Sequence, residues 1–121
     1  MKPLTKAEEQ VMQATWSLED GGMLKEIVEA MPEPKPHHNT VATLLKILVD
    51  KKYIGIRNLG RFNHYYPKVQ KDEFTNMTIS GLTKGYFEGS YQEMVSFMVD
   101  QKKITVQDLE LLLKQIKTGK K

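Results

Sequence analysis

Cysteine is absent from the 121 residues of this chain. Its absence excludes a disulfide scaffold, a thiolate metal site and a cysteine nucleophile. It also favours a reducing compartment, since structural disulfides belong to oxidising ones.

Long apolar runs are missing as well. The chain opens with MKPL and continues into a charged amphipathic segment, without the apolar stretch of a signal peptide. No run approaches the ~20 residues that a membrane-spanning helix needs. We therefore expect a cytoplasmic protein that does not insert into membranes.

Motifs typical of enzymes are also lacking. The sequence contains no glycine-rich phosphate loop, no paired catalytic carboxylates and no HExxH motif. His37 and His38 are adjacent, so their side chains diverge on a helix and cannot share a ligand set, and His64 falls elsewhere. We expect no catalytic residues, no metal and no cofactor.

Positive charge is concentrated in one third of the chain. Residues 35–71 contain eight lysines and arginines and one acid, Asp50, which gives a formal charge of +7. Residues 72–121 are neutral, with seven basic and seven acidic residues. A basic segment of this kind suggests a polyanionic partner, provided that the fold presents a matching surface.

Three helices are predicted before residue 53. A capping box at Thr5 and Glu8 begins the first, a short apolar repeat marks the second, and three prolines between residues 32 and 36 end it. The third helix should begin near residues 37–39 and run to about residue 52. Its apolar face repeats at i, i+3, i+4, i+7 and i+8 and consists of Val41, Leu44, Leu45, Leu48 and Val49.

The opposite face of the third helix carries Asn39, Ala42, Thr43 and Lys46, at i, i+3, i+4 and i+7, which are small, polar or cationic residues with no acid among them. Such a face suits base edges, because asparagine pairs with adenine, threonine offers a hydroxyl and a methyl, and lysine reaches guanine or phosphate. Residues 53–57 and 62–66 are predicted strands joined by a turn at residues 58–61. Three helices followed by a hairpin predict a winged helix-turn-helix domain. The expected DNA contacts are His37, His38, Asn39, Thr40, Ala42, Thr43, Lys46, Arg57 and Arg61.

The tail carries three further helical stripes, near residues 72–87, 91–99 and 104–117. About 50 residues rarely bury enough surface to be stable alone, so we expect the stripes to pack against a second copy of the chain. The fold class is thus mainly α with a small β-hairpin: a winged-helix domain over residues 1–71 and a three-helix dimerisation region over residues 72–121. The expected interface residues are Phe74, Met77, Leu82, Tyr91, Met94, Val95, Met98, Leu109, Leu112, Leu113 and Ile116.

In these predicted elements and their residues, the chain resembles the penicillinase repressor family over nearly its whole length. The most specific part is residues 39–54 (NTVATLLKILVDKKYI), which is similar to the family's recognition helix and its exit. Residues 4–12 (LTKAEEQVM) with Trp16 resemble the family's opening, and residues 65–67 (YYP) resemble the end of its wing.

The resemblance implies a dimer that represses resistance genes by binding double-stranded DNA at an inverted-repeat operator. In family members a membrane-anchored metalloprotease pathway that senses β-lactams leads to cleavage of the tail; here the corresponding bond would lie near Phe97 and Met98. Copper-responsive relatives end in a cysteine-rich motif, which this chain lacks. Two alternatives stay open: a winged-helix regulator gated by a small ligand, and a winged-helix interaction module that binds no DNA.

Overall fold

A computed structural model describes residues 2–119, so Met1, Lys120 and Lys121 of the two predicted domains lie outside the described residues. The chain forms two compact units, with the division between Thr75 and Asn76. The element order is α1 (Lys6–Ser17), α2 (Leu24–Glu29), α3 (His38–Asp50), β1 (Ile54–Leu59), β2 (Phe62–Pro67), α4 (Lys71–Phe87), α5 (Tyr91–Asp100) and α6 (Val106–Lys117).

The predicted capping box begins α1. The Thr5 hydroxyl accepts a hydrogen bond from the Glu8 backbone N–H at 3.2 Å, and the Glu8 carboxylate accepts one from the Thr5 backbone N–H at 3.0 Å. These reciprocal bonds satisfy two backbone donors that the helix leaves without a partner. Helix α3 begins at His38 and is capped by His37, whose Nδ1 accepts from the backbone N–H of Asn39 at 3.1 Å.

The core of the first unit lies between α1, α2, α3 and the start of the hairpin. Val41, Leu45 and Leu48 of α3 are fully buried in it, so the predicted apolar face does point inward. Leu44 and Val49 pack at its edge. Since burying an aliphatic side chain contributes roughly 1.5–3 kcal/mol, these three side chains fix the rotation of α3 about its axis.

The hairpin is longer than the sequence indicates. β1 and β2 are antiparallel, and Leu59 pairs with Phe62, which leaves only Gly60 and Arg61 in the turn. The expected turn at residues 58–61 is therefore wrong at Asn58 and Leu59. Asn58 lies in the strand and its Nδ2 donates to Oδ1 of Asn63 at 3.1 Å, while Gly60 adopts a φ of +75°, which glycine does at little cost.

A cluster of aromatic rings closes the first unit near its end. Trp16 Nε1 donates to the backbone carbonyl of Val69 at 2.9 Å. The Phe74 ring lies 5.6 Å from that of Trp16 and 6.1 Å from that of Tyr53, centroid to centroid. Phe74, expected at a dimer interface, thus packs on the core of its own unit, because α4 begins beside Trp16 and Tyr53.

The second unit contains the rest of α4 together with α5 and α6. Ser90 caps α5, and Thr105 and Asp108 form a capping box at α6 with two bonds of 3.0 Å. Within residues 76–119 only Thr83 is buried, and its hydroxyl donates to the carbonyl of Ile79 at 2.7 Å. The unit has well-formed helices without an apolar core of its own.

Candidate nucleic-acid interface

The outward face of α3 carries the side chains expected to contact DNA. His38, Asn39, Thr40, Thr43 and Lys46 are all exposed, and Ala42 is half-buried. They are outward because the buried residues occupy the opposite face of the same helix. Between residues 38 and 46 this face has no carboxylate, so it presents donors, a methyl and a cation to any polyanion that approaches; the exposed Asp50 lies on the same side at the end of the helix.

Two polar groups on this face are held by the helix itself. The Thr43 hydroxyl donates to the backbone carbonyl of Asn39 at 3.0 Å, so its one proton is already used within the helix. The His37 ring is occupied in capping the helix. The sequence places both residues in the interface, but only the structure shows that His37 serves the helix end.

The two predicted wing arginines differ in their surroundings. Arg57 forms an ion pair with Asp20 at 2.9 Å, and its guanidinium lies 4.2 Å from the centre of the Tyr66 ring. Arg61 is exposed in the two-residue turn. Arg57 therefore attaches the hairpin to the loop before α2, whereas Arg61 is available to a ligand.

Further contacts, which the sequence analysis did not predict, fix the hairpin to that loop. Tyr65 exchanges two backbone hydrogen bonds with Gly22, at 2.8 and 2.9 Å, so Gly22 forms an isolated antiparallel bridge to β2. Nε2 of His64 lies within hydrogen-bond distance of the Asp20 carbonyl. The pair Gly21-Gly22 was the available signal, but it indicated only the end of a helix.

Ion pairs reduce the charge that the basic segment can offer. Arg57 pairs with Asp20, and Lys51 lies 2.7 Å from Glu8. The Nζ of Lys35 is 3.7 Å from a Glu33 oxygen. Among residues 2–119 no ion pair involves the five remaining cations, which are Lys46, Lys52, Arg61, Lys68 and Lys71.

The Glu8–Lys51 pair is nearly buried and belongs to the fold. The hydrogen bond from Lys51 holds the pKa of the Glu8 carboxyl below its ordinary value, against the opposing effect of burial, and the Thr5 backbone bond acts in the same direction as Lys51. Lys51 also donates to the Pro3 carbonyl at 3.0 Å. Burial raises the pKa of Tyr53, whose hydroxyl donates to the Lys2 carbonyl at 2.7 Å.

The residues expected at a dimer interface lie, apart from Phe74, in the second unit. Met77, Leu82, Tyr91, Leu112, Leu113 and Ile116 are exposed, and Met94, Val95, Met98 and Leu109 are half-buried. Tyr86, which sequence reasoning left out of the interface, is 78% exposed. The expected cleavage position lies inside α5, where Phe97 is exposed and its ring is 5.7 Å from that of Phe87.

Residues 2–119 lack the side-chain cluster of a metal site and the long apolar helix of a membrane span. They contain no cluster of three or more histidine or carboxylate residues arranged to hold a metal ion. None of the helices in this range has both the length and the apolar character that crossing a bilayer requires.

The first unit has three helices, an exposed polar face on α3 and a hairpin that follows α3. This arrangement defines a winged-helix protein with additional C-terminal helices. The sequence model of the penicillinase repressor family matches residues 4–118, and the chain belongs to that family. A comparison with curated proteins found no match. Membership supports a role as a transcriptional repressor and places the chain among regulators rather than enzymes.

Proposed function

We propose that this protein is a sequence-specific repressor that binds double-stranded operator DNA as a homodimer. The observation that carries the proposal is the exposed face of α3, which holds Asn39, Thr43 and Lys46 and no acid between residues 38 and 46, and which is followed along the chain by the wing. A helix of this kind fits the major groove of B-DNA, which is about 12 Å wide. The five cations without an ion pair supply the phosphate contacts.

The exposed apolar surface of the second unit supports the dimer. Eleven large apolar side chains between residues 77 and 116 are exposed, and Leu112, Leu113 and Ile116 of α6 are each more than half exposed. So many exposed apolar side chains on a small unit indicate an interaction site. Because the second unit lacks an apolar core, the second units of two copies would complete one another around a two-fold axis, which in turn sets an inverted-repeat operator.

Derepression by proteolysis is the third part of the proposal and rests on family membership. A cut between Phe97 and Met98 would divide α5 and detach α6, which carries Leu112, Leu113 and Ile116. The dimer would then lose much of the surface that holds its two winged-helix domains on neighbouring half-sites. A sensor metalloprotease pathway for β-lactams, of the kind known in the family, would supply the cut in the cytoplasm.

Selection of duplexes from a random library with the full chain, followed by hydroxyl-radical footprinting, tests the proposal. We expect an inverted repeat protected at two half-sites, with centres one or more helical turns of about 10–10.5 base pairs apart. A single protected site would contradict the dimer, and the absence of any enriched sequence would contradict specific DNA binding.

A further inference from the structure

The tip of the wing is unusually apolar for a solvent-exposed turn. Leu59 and Phe62 flank the turn as its closing pair and are 57% and 61% exposed. Arg61 lies between them in the chain and is exposed too. Cross-strand contact within this pair would stabilise the hairpin slightly, but side chains so exposed gain little from it.

The base of the same hairpin is held by many contacts. Arg57 is paired with Asp20, Tyr65 is hydrogen-bonded to Gly22, and Asn58 is bonded to Asn63 just behind the tip. The strands behind the tip are therefore held in place, and Leu59 and Phe62 lie outside the core of the unit. Such pre-organisation lowers the entropy cost of inserting these side chains into a partner.

Charge identifies the kind of partner. Residues 54–67 contain two arginines and no acid, and Arg61, in the turn itself, forms no ion pair among the described residues, so the tip carries a positive charge that attracts a polyanion. A cation beside apolar wedges is the combination that proteins use in the minor groove, where leucine or phenylalanine enters between base steps. An apolar protein partner would leave Arg61 to be desolvated without a counter-charge.

We infer that Leu59 and Phe62 form a wedge that enters the minor groove of the operator beside Arg61 and kinks the DNA. This inference rests on the proposed function, since it assigns the wing a role on the DNA that α3 reads. The minor groove is only about 6 Å wide, and paired strands alone are ~4.8 Å apart, so the tip enters only where the groove opens. Flexible pyrimidine–purine steps open at the lowest cost and should therefore be enriched under the wing.

The test uses the full chain and the duplex recovered by random selection, labelled at its ends for energy transfer and with 2-aminopurine at the steps under the wing. Wild-type protein should shorten the end-to-end distance and raise 2-aminopurine fluorescence, because an unstacked base is less quenched. The double variant Leu59→Thr/Phe62→Thr should lose both signals and bind about tenfold more weakly. Threonine has a high strand propensity, so the hairpin of the double variant should remain folded. Circular dichroism would verify that it does.

Matched variants separate the wedge from a general loss of wing structure. Ile56→Thr makes the same chemical change on the other face of β1, where Ile56 pairs with Tyr65, and should keep both signals. Phe62→Leu keeps an apolar wedge and should keep the bend, which provides a test even if the double variant unfolds. If wild-type protein binds without either signal, or if the double variant keeps both, the wedge is wrong while the repressor proposal stands. If selection recovers no duplex, the proposed function itself fails.

Discussion

Asn39 and Thr43 lie one helical turn apart on the exposed face of α3, and they offer different groups to a base. Asn39→Ala should relax the sequence preference at one position of each half-site, at a cost of roughly 1–3 kcal/mol on the preferred base. Because the Thr43 hydroxyl is bonded to the Asn39 carbonyl, its methyl is the better candidate for contact with thymine. Thr43→Val should therefore retain more discrimination than Thr43→Ala.

Competition binding against a panel of single-base operator variants measures these preferences. Gln13→Ala, at an exposed position on α1, is the control and should leave the whole profile unchanged. Equal loss on every sequence after Asn39→Ala would mean that this side chain contacts phosphate and that base recognition lies elsewhere.

Glu8 makes the stability of the first unit depend on pH. Its pKa is lowered in the folded state, so its contribution is complete above the ordinary value of 4.5 and is lost as the pH falls through the lower, folded value. The free energy of unfolding should therefore fall on acidification below that ordinary value, and Glu8→Gln should make this fall shallower. Urea denaturation at a series of pH values, with Glu9→Gln as the exposed control, measures the difference. Identical pH profiles for wild type and Glu8→Gln would show that Glu8 is not a source of the loss of stability in acid.

Periodicity was enough to predict which α3 residues are buried and which are exposed. The ion partners were not predictable, because Arg57 and Asp20 are 37 positions apart and Lys51 and Glu8 are 43 apart. A formal charge of +7 read from the sequence therefore overstated the charge available to a ligand. Nothing in a local pattern tells a paired lysine from an unpaired one.

Among the elements, the attachment of the wing depends on Gly21. Its φ is +69°, and a Cβ there would lie 1.9 Å from the Tyr65 carbonyl oxygen, the atom that bonds to Gly22. Gly21→Ala should break this pairing and release the hairpin, with a loss of stability well above the roughly 1–2 kcal/mol of the left-handed backbone alone. Gly60→Ala is the matched control, with a φ of +75° and nothing within 4 Å of the added carbon.

Thermal or chemical denaturation of both variants gives the comparison, and hydrogen exchange at the Tyr65 amide shows whether the attachment is lost. We expect faster exchange in Gly21→Ala only. If the two variants were equally destabilised and Tyr65 stayed protected in both, the pairing with Gly22 would contribute nothing to the position of the wing.

Helix ends were the most predictable feature at this scale. Thr5 and Thr105 cap helices as expected, because their hydroxyls accept from backbone donors three residues on. The bridge between Gly22 and Tyr65 and the packing of Phe74 on Trp16 were not predictable, since both join parts of the chain that are far apart in sequence. The spacing of apolar residues along α4 indicates that Phe74 belongs to the apolar face of the helix. The spacing does not show which surface that face covers.

For the whole molecule, the second unit is the part that most needs a partner. Leu112 is 51% exposed on α6, and an aspartate there would place a charge in the proposed interface at a cost of several kcal/mol. Leu112→Asp should therefore be monomeric by light scattering and should bind the operator more weakly, since the second head is no longer tethered. Gln115→Asp adds the same charge at another exposed position of α6 and should remain dimeric. A dimeric Leu112→Asp protein with normal DNA binding would show that α6 is outside the interface.

Two copies of the chain are proposed to bind one inverted repeat through α3 and a set of phosphate contacts. Fluorescence anisotropy of the full chain on the selected duplex, on a duplex with one half-site scrambled and on a fully scrambled duplex tests this proposal at a series of salt concentrations. We predict the tightest binding to the intact repeat, a large loss from scrambling one half-site, and a slope of log K against log salt of about −5 to −9, from about 6–10 neutralised phosphates. Equal affinity for all three duplexes would contradict specific binding of a dimer to the inverted repeat. Binding that does not respond to salt would contradict the phosphate contacts.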